Sequence, residues 1–283
     1  MFLIIGANGS IGSQLVKQLT SSGEKVRVLV RDKQKAEKSF GKSVDVVTGD
    51  IGDPASLDRA FQGVARAFVL TSGDAIPSEK HAFAAAKKAG VNHIVKLSTA
   101  GAQKGSPIRL ASMHGESEEA LKASGVPFTV LQPTFFTSNL LGSAGTIKGE
   151  GKLYGAFKTG RLPVIDPEDI AATAAAVLKN PTGHEGKTLY LTGPEAVTHG
   201  QIAEKLGKAL GKSVSYVDLP ASAVVESIKK SGAPSWYAED FGKMSEWFAS
   251  DQAATVSDAV EKIAGRKPRT VDAWIADNAK SFK

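Results

Sequence analysis

The sequence of 283 residues contains no cysteine. This absence excludes disulfide bonds, thiolate metal sites, iron–sulfur clusters and a cysteine nucleophile. No apolar run approaches the roughly 20 residues that span a bilayer. The apolar residues 2–5 follow the first residue directly, with no charged leader before them. We therefore expect a protein without a membrane segment or targeting peptide, located in the cytoplasm.

Signals for metal-dependent or esterase chemistry are also missing. The sequence has no G-x-S-x-G motif, which disfavours an esterase. Four histidines lack the spacing of metal ligands, so we predict no metal site; they are His81, His93, His184 and His199.

The charge balance is mildly basic, with 35 Lys and Arg residues against 29 Asp and Glu residues and a formal net charge of +6. Nucleic-acid binders usually concentrate such charge in one stretch with interleaved aromatic residues. Here the basic residues are scattered, with small excesses at 25–42 and 262–269. The surplus indicates mostly solvated surface, and nucleic-acid binding is not expected.

Short apolar runs alternate with helical patterns through the first half of the chain. The helical patterns cover 11–20, a segment starting near 54, 78–89 and 112–123. The predicted strands are 2–5, 26–30, 44–48, 67–70, 94–97 and 128–131. Continuous apolar strands between helices are typical of a parallel sheet covered on both faces. The pattern predicts an α/β fold with a doubly wound, Rossmann-type sheet.

The alternation of apolar runs and helical patterns ends after Pro133. Six glycines between 142 and 165 predict a loop and a hairpin. Further helices are predicted at 166–178 and 199–210, and strands at 188–191 and 214–217. We expect a dinucleotide-binding domain at 1–132 and a smaller, helix-rich substrate lobe at 133–283. The lobe is expected to interleave with the first domain and to return a strand or two to the sheet.

A glycine-rich turn with the pattern G-x-x-G-x-x-G joins the first predicted strand to the first helix. The first glycine permits a tight turn, the second lets backbone N–H groups approach a pyrophosphate, and the third lets the helix pack on the strand. The turn predicts dinucleotide binding by Gly6, Asn8, Gly9, Ser10, Ile11 and Gly12.

The residues after the second strand indicate which dinucleotide binds. Arg31 follows the strand directly, and a guanidinium there can bond a 2′-phosphate and stack on adenine. Lys33 and Lys35 add positive charge nearby. NADP(H) is therefore favoured. Asp32 leaves NAD(H) possible, because a carboxylate at this place can hold the ribose 2′-hydroxyl.

Ligands of such sheets lie over the carboxyl ends of the strands. Asp50 follows the third strand and could bond the adenine amine, while Ile51 could pack on the ring. Thr71, Ser72 and Gly73 follow the fourth strand and would meet the central riboses.

The turn and several later motifs resemble those of the NmrA-like, atypical short-chain dehydrogenase/reductase family. The further motifs are Val-Arg-Asp at 30–32, Gly-Asp-Ile-Gly-Asp-Pro-Ala-Ser-Leu at 49–57, His114-x-x-x-Glu118 and Leu-Gln-Pro-Thr-Phe-Phe at 131–136. The likeness extends over essentially the whole chain, although the C-terminal lobe matches only in outline. It is strongest to the bacterial NAD(P)H-dependent quinone oxidoreductases and triphenylmethane dye reductases. The resemblance implies that the segment 133–138 flanks a nicotinamide, with Pro133, Thr134 and Phe135 binding the cofactor, and that Phe136 and Asn139 face the substrate cleft.

The Tyr-x-x-x-Lys pair of ordinary short-chain dehydrogenases is not found where it is expected. On the helix after the fifth strand, Leu110 stands in the tyrosine position and His114 in the lysine position. A literal Tyr154-x-x-x-Lys158 falls in the predicted hairpin, where strand alternation would send both side chains to one face. That placement cannot reproduce a helical pair beside the cofactor, so we interpret it as coincidental.

The missing tyrosine acid disfavours alcohol oxidation. Hydride transfer to an acceptor that needs little protonation remains possible, because the cofactor carries the reaction. We predict an NADPH-dependent reductase of a small conjugated acceptor, such as a quinone or a dye, acting as a monomer or homodimer. His114, which could hold the ribose or donate a proton near neutral pH, and Ser98 are the catalytic candidates. The alternatives are an NADP(H)-binding redox sensor without turnover and, less favoured, an isomerase or epimerase.

Aromatic residues cluster at helical spacing near the C-terminus. They are interpreted mainly as lobe core, with an aromatic lid over a flat acceptor as the alternative; they are Trp236, Tyr237, Phe241, Trp247 and Phe248.

Overall fold

The computed structural model describes residues 1–283. Its strands are β1 (Phe2–Ile5), β2 (Val26–Val30), β3 (Asp45–Thr48), β4 (Arg66–Val69), β5 (His93–Leu97), β6 (Phe128–Pro133), β7 (Lys152–Gly155), β8 (Arg161–Leu162), β9 (Lys187–Leu191), β10 (Val197–Thr198) and β11 (Ser215–Asp218). Its helices are α1 (Ser10–Ser21), α2 (Lys33–Phe40), α3 (Pro54–Phe61), α4 (Glu79–Lys88), α5 (Arg109–Ser124), α6 (Ala144–Glu150), α7 (Pro167–Lys179), α8 (His199–Leu210), α9 (Ala221–Lys230), α10 (Ser235–Ala249), α11 (Ala259–Ala264) and α12 (Val271–Asn278). Short 3-10 segments cover Gly73–Ser78, Thr137–Ser143 and Ala279–Phe282. None of the helices combines the length and apolarity that crossing a bilayer requires.

Seven strands form one parallel sheet in the order β3-β2-β1-β4-β5-β6-β9. Phe2 of β1 is in register with Val26 of β2 on one side and with Arg66 of β4 on the other. The predicted doubly wound α/β sheet is therefore confirmed. The strand order reverses between β1 and β4, and the crevice at such a reversal is where ligands of this architecture bind.

Both faces of the sheet are covered, which explains why β1 is apolar at every position. Phe2 and Ile4 pack in the layer formed with α1, α7 and α11. Leu3 and Ile5 point to the opposite face, in the layer formed with α3, α4 and α5. Because successive side chains of a strand alternate between faces, a strand covered on both sides has no solvent-facing position.

The second half of the chain contributes to both the sheet and a separate lobe. β9 extends the sheet beside β6, and α7 packs against α1. The lobe has its own apolar core, built around Leu153, Leu206 and Trp274. The division at residues 132 and 133 stays a prediction.

The hairpin predicted within 142–165 is wrong. This segment contains α6, and its strands β7 and β8 do not pair with each other. β7 pairs in parallel with β11, and β8 pairs antiparallel with β10. Gly142, Gly145 and Gly149 lie in helical segments and not in turns. The partner strands of β7 and β8 come from later in the chain, and local glycine signals carry no information about them.

Candidate active site

Two glycines of the turn between β1 and α1 are required by the chain's own packing. Gly6 has φ of +87°, and a Cβ atom there would lie 2.4 Å from the carbonyl oxygen of Leu70. A Cβ atom at Gly12 would lie 2.2 Å from the carbonyl oxygen of Gly6. These glycines let α1 and the end of β4 approach the turn, which fixes it at the reversal of strand order.

The middle glycine, Gly9, is not required in this way, since the nearest atom to a Cβ there would be 3.5 Å away. Gly9 is the N-cap of α1, which has no side-chain cap and no acidic residue in its first turn. Asn8 and Ser10 are exposed beside it, whereas Ile11 is buried in the core and presents only its backbone to the turn. Uncapped N–H groups beside an open glycine fit an anionic pyrophosphate. The turn therefore suits a dinucleotide.

After the end of β2, Arg31 and Asp32 are both exposed, and the Asp32 side chain is hydrogen-bonded to the helix that follows. Asp32 is the N-cap of α2, and its carboxylate accepts a hydrogen bond from the backbone N–H of Lys35 at 3.0 Å. The Lys35 side chain lines a cavity of about 360 Å³ together with Asn8 and Lys17, and no acidic residue lines that cavity. The corner beside the glycine turn is thus electropositive.

The loop after β3 is held by its own hydrogen bonds. Oδ1 of the exposed Asp50 accepts from the backbone N–H of Gly52 at 2.8 Å, and the Ser56 hydroxyl accepts from the backbone N–H of Asp50 at 3.1 Å. Ile51 is 9% exposed, at the margin of the core. The loop presents the Asp50 carboxylate to solvent, with only the edge of Ile51 beside it.

A cleft of about 1220 Å³ lies between the carboxyl edge of the sheet and the C-terminal lobe. Among the predicted site residues, those that line it are Thr71, Ser72, Ser98, His114, Pro133, Thr134, Phe135, Phe136 and Asn139. Gly73 lies outside this lining, at the start of a 3-10 segment near Trp236. The cleft brings residues from the ends of β4, β5 and β6 to one place, together with α5.

The segment after β6 is fixed from both sides. The hydroxyl of Thr134 donates to the carbonyl oxygen of Pro163 at 2.6 Å. Phe135 packs edge-to-face against Phe157 and Phe248 of the lobe, with centroid distances of 5.8 and 5.9 Å. Phe136 forms an isolated backbone bridge. This part of the cleft wall is therefore a rigid apolar surface.

His114 lies on α5 at the floor of the cleft and is 6% exposed. Its Nδ1 atom is 3.3 Å from the ammonium nitrogen of Lys96, a fully buried residue of β5. Burial, and then the positive charge of Lys96, lower the pKa of His114 to about 3. The imidazole is neutral near pH 7, so the expected role of an imidazolium proton donor does not fit this site.

Ser98, at the end of β5, is engaged within the protein. Its hydroxyl donates to Oε1 of the buried Glu118 at 2.5 Å, and the same oxygen accepts from Nε2 of Gln132 at 2.9 Å. A hydroxyl has one proton to donate. Ser98 therefore offers a ligand in the cleft only its oxygen lone pairs.

Tyr154 and Lys158 do not share a face of one strand, so that expectation is wrong. β7 ends at Gly155, and Lys158 lies beyond it with φ of 49°. The Tyr154 hydroxyl donates to Glu150 at 2.7 Å, which raises the pKa of the phenol. Tyr154 lines the cleft, whereas Lys158 lines a separate cavity.

Most of the C-terminal aromatic residues form the cleft wall opposite the sheet. The apolar α10 residues that line the cleft are Tyr237, Phe241, Met244, Trp247 and Phe248, and the charged Asp240, Lys243 and Glu246 of the same helix line it with them. Phe248 is also part of the lobe core, and Trp236 instead lies 4.6 Å from the guanidinium of Arg109. The sequence left lobe core and an aromatic lid as alternatives, and the residues take both places, since Phe248 packs in the lobe core and Tyr237, Phe241, Trp247 and Phe248 line the cleft.

Several residues of the site were not predicted from the sequence. Lys96 carried a usable signal, since a charged residue inside a buried apolar strand needs an explanation. Its partner Glu79, at the start of α4, carried none. His199 also lines the cleft; it stacks on Phe157 at 4.2 Å, its Nδ1 atom has no partner, and burial lowers its pKa to about 4. No group of three or more potential ligands is arranged to hold a metal ion.

Known proteins match the chain over nearly its full length. An NAD(P)H azoreductase from Xenophilus azovorans is 33% identical over 284 residues, which covers 100% of this chain and 99% of the relative. A crystal structure of an NADPH-dependent quinone oxidoreductase from Escherichia coli, complexed with NADPH, superposes with a TM-score of 0.88 at 30% identity, covering 98% and 99% of the two chains. The Citrobacter sp. triphenylmethane reductase complexed with NADP(H) gives a TM-score of 0.85 at 25% identity, covering 98% and 99%. The model of the NmrA-like family matches residues 1–275, and the chain belongs to the NmrA-like family.

Proposed function

We propose that this protein is an NADPH-dependent reductase that transfers a hydride to a small conjugated acceptor, such as a quinone or a dye. One observation carries the proposal: a single cleft joins the carboxyl edge of the sheet to an aromatic wall on α10. A nicotinamide at the sheet edge would face a flat acceptor held against that wall. The activities named for the azoreductase, quinone oxidoreductase and triphenylmethane reductase relatives agree with this assignment.

The preference for NADPH over NADH follows from the charges beside the turn. A carboxylate that selects NAD accepts from the ribose hydroxyls, and one oxygen of the Asp32 carboxylate is already used to cap α2. Arg31 and Lys35 are exposed at the same corner and can pair with a 2′-phosphate. The turn from Gly6 to Gly12 would bind the pyrophosphate, and Asp50 and Ile51 would contact the adenine.

Bound NADPH supplies the hydride, so the protein has to bind and orient the cofactor and the acceptor, and to exclude water. Thr71 and Ser72 would meet the central riboses, and Pro133 to Phe135 would flank the nicotinamide. Phe136 and Asn139 would face the acceptor. The aromatic wall of α10 would keep the acceptor flat and water out of the cleft.

We also propose that the reaction uses no Tyr-x-x-x-Lys pair. Leu110 and His114 occupy the corresponding turn of α5, and both line the cleft. A leucine cannot act as an acid, and the Ser98 proton is held by Glu118. Acceptors whose hydride adduct is neutral, or is an anion stabilised by delocalisation, need no protein acid at the moment of transfer. A cationic triphenylmethane dye meets this condition most fully.

The test is NADPH consumption, followed by its absorbance, against a panel of quinones, azo dyes and triphenylmethane dyes. A reaction without acceptor is the control, and Gly9→Val, which should obstruct the pyrophosphate site, is the matched inactive variant. Acceptor-dependent consumption lost in Gly9→Val supports the reductase. Tight NADPH binding without consumption across the panel would instead support the alternative, a redox sensor of the NADPH to NADP⁺ ratio.

A further inference from the structure

The buried ammonium of Lys96 has an acceptor for each of its protons. It lies 3.0 Å from the carbonyl oxygen of Leu97, 2.9 Å from Oε2 of Glu79 and 3.3 Å from Nδ1 of His114. Lys96 and Glu79 are both 0% exposed. Burying an ion pair is expensive unless both partners are fully hydrogen-bonded. Here they are, because Glu79 also accepts from Thr71 at 2.8 Å and from Ser117 at 2.5 Å.

An ammonium group only donates, so Nδ1 of His114 has to accept. A neutral imidazole carries one proton, which must then be on Nε2. The ring is turned so that Nδ1 faces the buried Lys96 while the residue lines the cleft. This leaves the N–H of Nε2 as the only ring donor for a ligand.

Burial, and then the positive charge of Lys96, keep His114 neutral. Lys96 approaches from β5, with Glu79 of α4 behind it. Glu118 lies one turn further along α5 and is held by Ser98 and Gln132. Asp240 of α10 caps the first turn of α5 and bonds backbone N–H groups there. No carboxylate is hydrogen-bonded to the imidazole, and burial and Lys96 both lower its pKa, to about 3.

We propose that Lys96 is a positioning residue, which fixes His114 as a neutral Nε2–H hydrogen-bond donor towards an oxygen in the cleft. The oxygen belongs either to a ribose hydroxyl of the cofactor or to the acceptor. Both offer a neutral or anionic oxygen atom that accepts a hydrogen bond. The proposal rests on the proposed function for the identity of the ligands, but the tautomer itself does not depend on turnover. The ammonium of this site is therefore supplied by Lys96 of β5 and not by α5, and it acts on a ligand only through His114.

The first test reads the tautomer directly, by ¹⁵N NMR of the histidine rings in the protein without ligand, with His114→Gln to assign the signals. We expect His114 with its proton on Nε2 and no titration between pH 5 and pH 8. In the double variant Lys96→Met/Glu79→Gln, which removes both buried charges together, we expect a mixture of the two neutral tautomers. Lys104→Met/Glu119→Gln removes an exposed ion pair beside the same helix and is the matched control. A proton on Nδ1 in the wild type, or an unchanged tautomer in the Lys96→Met/Glu79→Gln variant, overturns the proposal.

The second test identifies the oxygen by comparing His114→Gln, which keeps an N–H donor, with His114→Leu, which does not. If the donor holds the ribose, NADPH binding weakens about tenfold in His114→Leu and is restored in His114→Gln. If it serves the acceptor, NADPH binding is unchanged and turnover shows the same loss and rescue. Equal behaviour of both variants in both measurements contradicts the donor role. A protein that never consumes NADPH would refute the proposed reductase, while the NMR and binding measurements still decide the role of Lys96.

Discussion

Asp240 of α10 caps the N-terminus of α5 by accepting a hydrogen bond from the backbone N–H of Arg109 at 2.9 Å, across 131 residues of sequence. Its second oxygen accepts from the backbone N–H of Leu110 at 2.7 Å. The residue in the N-cap position, Ile108, has no side chain that could do this. The aromatic wall and the helix that carries His114 are therefore joined by one carboxylate.

Replacing Asp240 should loosen both the fold and the cleft. Loss of an N-cap costs about 1–2 kcal/mol, so we expect Asp240→Ala to lower the free energy of unfolding by about that amount. The KM for the acceptor should rise as well, because Leu110 of α5 is no longer held in place against α10. Denaturant unfolding and steady-state kinetics measure these effects. Glu239→Ala, at an exposed neighbouring position, is the control, and equal stability of the two variants would refute the capping role.

Two glycine variants should separate folding from cofactor binding. A Cβ atom in Gly12→Ala meets the Gly6 carbonyl at 2.2 Å, so this variant should lose about 1–3 kcal/mol of stability. Gly9→Ala meets nothing closer than 3.5 Å, so it should fold normally and bind NADPH at least about tenfold more weakly. Thermal unfolding and NADPH titration test the pair. Unchanged NADPH affinity in Gly9→Ala would contradict the placement of the pyrophosphate.

The preference for NADPH should depend on Arg31. Removing a charge-assisted bond to a 2′-phosphate costs about 1.5–3 kcal/mol. Arg31→Ala should therefore weaken NADPH binding about tenfold or more and leave NADH binding nearly unchanged. Lys25→Ala, which removes an exposed positive charge at the opposite end of β2, should keep the preference. If wild-type protein binds NADH as tightly as NADPH, the assignment of this corner is wrong.

Stability should fall on mild acidification. Burial lowers the folded-state pKa of His93 and His199 to about 4, and burial with Lys96 lowers that of His114 to about 3. Their unfolded pKa values are about 6.5, so the unfolded chain binds more protons below that pH. The stabilisation is complete above about pH 6.5 and is lost as pH falls towards the folded values.

Between pH 7 and pH 5, each of these histidines should remove about 1–2 kcal/mol from the free energy of unfolding. Urea unfolding across this range measures the slope, and His199→Gln should reduce it by about a third. A free energy of unfolding that does not change between these pH values would show that the three rings are not held neutral in the fold.

The sheet could be predicted because its signals are local. The strands of the first half are short, mainly apolar runs. The covering helices are marked by an apolar periodicity, or by a glycine or proline at one end. α2 escaped because Ala36 is its only buried residue, so it has almost no apolar face. The glycine turn could be predicted for the same reason as the strands, since the turn, the strand before it and the helix after it are contiguous.

The remaining parts of the site depend on contacts between distant segments. The β7–β11 pair joins residues about 60 positions apart, and no local pattern encodes that pairing. Lys96 and Glu79 meet because α4 packs on the face of the sheet that contains β5, not because of their spacing in the sequence. The same is true of Asp240 and Arg109. A lysine inside an apolar strand is unusual, but the sequence does not show what Lys96 faces.

The most direct measurement is deuterium transfer from NADPH dideuterated at C4 of the nicotinamide to a cationic triphenylmethane dye. Hydride addition at the central carbon of the dye leaves a C–H bond that does not exchange with water. We predict a colourless product that carries one deuterium, formed in equal amount to the NADP⁺ produced. Product without deuterium, or no product with NADPH bound, would contradict direct hydride transfer in this cleft.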